Sequence, residues 1–171
     1  MKIAKQLAGA LAALALAGFA QAQAPAPTPA PAPAPAPYGA PLTLDQAKKA
    51  MAAAEAEAKK NNWNVVIAIV DSGGNLMMLQ RLDNTQFGSI KVATDKAHAA
   101  AAFRRPTKVF QDLIAQGGVH LRMLNLTSDA GVLEGGVPII NDGKLIGAVG
   151  VSGVTSQQDA QIAQAGADTL K

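Results

Sequence analysis

Apolar and polar positions follow two different periods along this chain. Leu44, Ala47, Met51, Ala54 and Ala58 recur three and four apart, one stripe of a helix, with Thr43 as its cap and Glu55 and Lys59 paired on the outer side. Residues 63–70 then hold a dense apolar run, Val65 to Ile67 and Ile69-Val70, which reads as a strand. Asp71-Ser72-Gly73-Gly74-Asn75 is a turn, and Leu76 to Leu82 is the return strand. So dense a pair suits a sheet covered on more than one face. The helical period returns over Ser89 to Phe103, with Ile90, Ala93, Ala97 and Ala101 inward. It continues in a shorter helix over residues 107–116, carrying Val109, Phe110, Leu113 and Ile114. Val119 to Gly131 reads as a loop with at most one short strand.

The stretch Leu133 to Gly153 organises the rest. Val137, Ile139 and Ile140 lead into Asn141-Asp142-Gly143, and Leu145 to Val151 lead out, a strong hairpin signal because such a turn needs residues that tolerate positive φ. Gly147, Gly150 and Gly153 recur every three residues in the second strand, where a glycine marks close approach by another backbone or a ligand. Thr155 and Gln158 occupy capping-box positions for a last helix, with Ala160, Ala163, Ala167 and Leu170 inward. The order α-β-β-α-α-β-β-α, two hairpins with helices before, between and after, predicts an α+β fold with a central antiparallel sheet flanked by helices.

Composition changes the picture at the N-terminus. Residues 1–22 have the basic start, apolar middle and Ala20-Gln21-Ala22 site of a secretory signal, with cleavage expected after Ala22. The expected location is the bacterial periplasm or the exterior. Residues 23–40 are an Ala/Pro-rich linker. Its Ala24–Pro37 tract cannot form ladders, and reads as an extended spacer of roughly 40 Å. Residues 41–171 form one domain. There is no cysteine, hence no disulfide and no lipidation site, so the domain relies on its core. Cleavage removes Lys2 and Lys5, leaving thirteen basic against twelve acidic residues. That balance, with few aromatics, gives no footprint for nucleic acid and none for stable membrane attachment after cleavage.

The candidate chemistry is sparse. Gly147-x-x-Gly150-x-x-Gly153 is not a dinucleotide fingerprint, and Ser152 lacks the glycine a nucleophile elbow requires. His98 and His120 have no metal-site spacing that would suggest structural zinc. His98 lies about 100° from the centre of its helix stripe, at the edge between buried and wet, where it can either be an ordinary rim residue or reach a ligand. His120 follows two glycines in the loop. Lys91, Lys96, Arg104 and Arg105 gather on or after the second helix, as a solvated face or as acceptors of carboxylates. Glu134 enters the hairpin semi-buried, with no partner visible.

Asn61-Asn62-Trp63, Val70 to Leu76, Lys96-Ala97, Leu133-Glu134-Gly135-Gly136-Val137-Pro138, Ile146 to Gly153 and Gln158-Asp159-Ala160 together resemble the GlcG/HbpS-like haem-binding family. The resemblance spans Leu42 to Lys171. It implies the α+β fold already read, self-association into a homo-oligomer, and haem as the ligand. The family includes extracellular haem-binding proteins, a glycolate-operon protein and domains attached to corrinoid enzymes. With the export signal, it implies an exported protein that binds, buffers or reports haem. His98, or failing that His120, would ligate the iron, and Lys91 and Arg105 would meet the propionates. These residue assignments come from the residues and not from a family motif. Two alternatives stand beside this one: an enzyme of haem breakdown or of small 2-hydroxy-acid metabolism, and a non-catalytic oligomeric scaffold.

Overall fold

A computed structural model of the chain describes residues 34–126 and 130–171. The expected signal peptide and most of the Ala/Pro segment lie outside these residues. The element order is the expected one: α1 (Leu44–Lys60), β1 (Val66–Asp71), β2 (Leu76–Arg81), α2 (Ser89–Phe103), α3 (Lys108–Ala115), β3 (Gly136–Asn141), β4 (Lys144–Ser152) and α4 (Ser156–Asp168). The four strands form one antiparallel sheet in the order β2-β1-β4-β3. Thr43 and Thr155 cap α1 and α4 in full capping boxes with Gln46 and Gln158. Asp142 and Gly143, both at positive φ, close the β3–β4 hairpin between Asn141 and Lys144.

The sheet is covered on both faces. In β1, Ile67 and Ile69 join Ala47, Ala50 and Met51 of α1 and Ile162 and Ala163 of α4 in one core. Val66, Ala68 and Val70 turn the other way and meet Ala93, Ala97, Ala100 and Ala101 of α2. A strand buried on both sides has no polar face to alternate with, which is why β1 reads as an unbroken apolar run. Its partner departs from expectation. β2 is an edge strand, and Leu76 and Leu79 are 51% and 37% exposed. Residues 118–125, expected as loop, form a 3-10 helix packed on α3. Val109 of α3 and Val119, Leu121 and Leu124 of that 3-10 helix are exposed, and in α3 only Phe110 is buried. Leu44 and Ile90, expected inward, are also exposed, because each sits in the first turn of its helix, beyond the edge of the sheet-facing stripe.

The α2–sheet interface is built from small residues. A Cβ on Gly150 would overlap the Ala93 carbonyl and the Ala97 amide, so α2 lies directly against β4. Gly147 and Gly153 are likewise backed by protein backbone, which assigns the glycine series to packing. Gly150→Ala is therefore expected to force α2 off the sheet and cost about 2 to 3 kcal/mol, read as a lower urea midpoint; an unchanged midpoint would refute the contact.

Candidate functional site

The rotation of α2 about its axis decides which side chains can act. Lys96 points inward and is 2% exposed. Its Nζ donates to Asp159 Oδ2 of α4 at 2.8 Å and to the Val151 carbonyl of β4 at 3.0 Å. The second Asp159 oxygen accepts the Val154 amide at 3.2 Å. This corrects the grouping of Lys96 with the solvated cations: five residues from Lys91 is about 140° around a helix, so the two cannot share a face. Burial pushes the Asp159 carboxyl up from its ordinary value, while the Lys96 charge, its hydrogen bond and the Val154 and Gly153 amides pull it down. Glu134 is also buried, and its partner is Gln111 of α3, which holds both its amide and its carboxylate.

Two residues beyond Lys96 is about 200° of rotation, so His98 must emerge on the outer face. It is exposed, and its Nδ1 lies 3.2 Å from the Gly74 carbonyl in the β1–β2 turn. A carbonyl oxygen only accepts, so in this contact Nδ1 is the donor and Nε2 is left to other partners. The turn is shaped to receive the ring. Gly74 sits at φ +83°, and a Cβ there would come 2.7 Å from His98 Nδ1. Asp71 Oδ1 accepts the Gly73 and Asn75 amides at 2.9 Å each, bracing the turn from within. Desolvation alone would raise the Asp71 carboxyl, but hydrogen bonds from the backbone and side chain of Asn75 and from the Gly73 and Gly74 amides outweigh it, and the net direction is down.

Beside this histidine is an open hollow of about 480 Å³ lined by Tyr38, Ser72, Gly73 and Ala102. Ala102 lies one turn beyond His98 on α2, and Gly73 adjoins the residue the ring touches. Lys91 lies two turns earlier on the same face, about 10 Å along the axis; it is exposed and pairs with Asp95 at 2.6 Å. Arg105 is turned elsewhere: its Nε donates to the Phe103 carbonyl at the end of α2. Arg104, whose left-handed backbone ends α2, holds its guanidinium 4.9 Å over the Tyr38 ring. His120 is not part of this constellation. It lies half-buried on the 3-10 helix among exposed Val119, Leu121 and Leu124. Another hollow, of about 430 Å³, surrounds Trp63, Asn64 and Gln80 at the far end of the β1–β2 hairpin and holds no histidine. No cluster of three or more metal-ligating side chains occurs among the described residues.

The α+β domain thus carries one exposed, backbone-oriented histidine beside an open groove, and its fold and sequence have known relatives. The sequence profile described as "Haem degrading protein HbpS-like" matches residues 42–168. The chain belongs to the HbpS-like family. It is 43% identical over 94 residues to protein GlcG of Escherichia coli, covering 55% of this chain and 68% of that protein. The crystal structure of an HbpS double mutant from Streptomyces reticuli superimposes with a TM-score of 0.70 at 32% identity, covering 84% of this chain and 99% of that one. A PduOC:haem complex also gives 0.70 at 27% identity, covering 77% and 96%.

Two outcomes test this geometry. Removing either partner of the buried pair, by Lys96→Ala or Asp159→Ala, is expected to cost about 3 to 5 kcal/mol, and the Lys96→Met/Asp159→Leu double replacement to recover most of it; equal losses in all three would show that the pair is not what is being removed. For the turn, a lowered carboxylate stabilises the fold in full above the ordinary Asp value of 3.8 and loses that contribution as pH falls toward the folded value. Amide exchange at Gly73 and Asn75 should accelerate below that pH, beyond the intrinsic rate, and in Asp71→Ala already at neutral pH.

Proposed function

We propose that this chain is an exported protein that binds haem on the outer face of α2, where His98 Nε2 would hold the iron. The observation that carries the reading is the His98–Gly74 contact. A histidine whose Nδ1–H is held by a backbone carbonyl has its tautomer and ring direction set in advance, as metal-ligating histidines are commonly held. The residues present fit the group: an outward imidazole lone pair, an open hollow with the Tyr38 ring and the Ala102 methyl at its wall, and Lys91 on the same helix face. Bound haem would supply a redox-active iron; the chain's part is to hold and orient. Lys91, about two turns away, can receive a propionate. The HbpS and PduOC:haem relatives support haem as the ligand. Residues 1–22 support export, and the Ala/Pro-rich stretch after them supports a spacer that ends where residues 36–39 join the domain. Exposed Val119, Leu121, Leu124 and Leu133 support self-association through the face that carries α3.

Haemin titrated into the purified chain should give a sharp Soret shift at micromolar concentration. His98→Ala should lose it and His120→Ala keep it. Loss in His120→Ala alone would move the site to the 3-10 helix. A spectrum that stays that of free haemin would refute haem binding and bring small 2-hydroxy acids forward.

A further inference from the structure

We propose that the end of the Ala/Pro segment is part of the ligand site, with Tyr38 as the wall against which the flat face of a tetrapyrrole packs. The proposal rests on the haem reading above and names which residue, besides the iron ligand, sets affinity. Tyr38 falls inside the stretch that sequence assigns to the linker, yet it is pinned from several directions. Its backbone makes a parallel bridge with Leu145 of β4, flanked by Leu145 N–H to the Pro37 carbonyl at 2.8 Å and Gly39 N–H to the Leu145 carbonyl at 2.7 Å. Its hydroxyl donates to the Ala102 carbonyl at 2.8 Å. Arg104 covers the ring and donates to the Ala36 carbonyl at 3.3 Å.

Despite these ties Tyr38 remains 50% exposed and lines the hollow beside His98. An aromatic ring that is half in water while fixed at its backbone, its hydroxyl and one neighbouring cation is preorganised: a partner that covers it need not immobilise it first. Aromatic surface in a groove next to an outward imidazole suits a ligand that is both planar and metal-bearing. The two residues would then divide the work. His98 acts on the metal, and Tyr38 on the macrocycle whether or not a metal is present.

That division gives the test. The purified chain and its Tyr38→Ala, Tyr38→Phe and His98→Ala variants are titrated with haemin, followed by the Soret band, and with metal-free protoporphyrin IX, followed by its fluorescence. Melting temperatures check that each variant is folded. Tyr38→Ala is expected to weaken both ligands about tenfold. Tyr38→Phe keeps the ring and should stay within about threefold of the parent. His98→Ala should weaken haemin but leave protoporphyrin within about twofold. A folded Tyr38→Ala variant with parental affinity for both ligands overturns the proposal while leaving haem binding intact. A parent chain that binds neither ligand removes the haem reading, and this proposal with it.

Discussion

The buried Lys96–Asp159 pair fixes the setting on which the rest of this structure depends. Taking an ammonium and a carboxylate out of water is costly, and their attraction repays it only when the remaining hydrogen-bonding capacity is also used. Here it largely is: Lys96 also reaches the Val151 carbonyl, and Asp159 also accepts the Val154 amide. The net contribution to stability is small, but the contribution to geometry is large. An apolar side chain could fill this space in several rotations of α2. A lysine that must find one carboxylate and one carbonyl admits a single rotation. That rotation carries Ala93 and Ala97 onto the sheet and sends Lys91 and His98 outward.

Close packing then completes the site. Because Ala93 and Ala97 present only methyl groups where α2 crosses Gly150, and Gly150 presents none, helix and sheet approach to backbone contact there. A helix so near the sheet stays within reach of the β1–β2 turn, and the Gly74 carbonyl touches a side chain on the helix's outer face. With bulkier residues at the interface, the same turn would end short of His98. The histidine's orientation is thus a consequence of core packing on the opposite side of the helix, and Asp71 keeps the turn in the shape that exploits it.

Much of this could be read from the chain beforehand, for physical reasons that differ by element. The capping boxes at Thr43 and Thr155, the Asn141-Asp142-Gly143 turn and the run over β1 are local signals, set by neighbours in sequence. The burial of Lys96 is not local. Its partner lies 63 residues away, and a lysine among Lys91, Arg104 and Arg105 resembles a solvated patch until the helix rotation is counted. Arg105 and Arg104 are neighbours in sequence, and only the left-handed backbone at Arg104, which ends α2, decides that Arg104 is the one over the Tyr38 ring. The edge position of β2 depends on strand order, which no residue in β2 encodes. Glu134 showed its burial in its glycine-rich setting but not its partner Gln111, because that contact joins α3 to the segment before β3 across 23 residues of sequence.

The openness of the groove bears on what it can do. Acid–base catalysis needs a group whose pKa is held near the working pH in a site that excludes water. The carboxylate moved upward by burial, Asp159, is sealed beneath the helix and committed to Lys96, so it takes no part in the open groove at His98. The groove instead offers one oriented donor, one preorganised aromatic wall and unrestricted access. In the haem reading, a ligand reaches the exposed imidazole and the half-exposed Tyr38 ring directly from solvent. The haem reading divides direction between His98, held by the Gly74 carbonyl, and Tyr38, held by the Ala102 carbonyl and by Arg104.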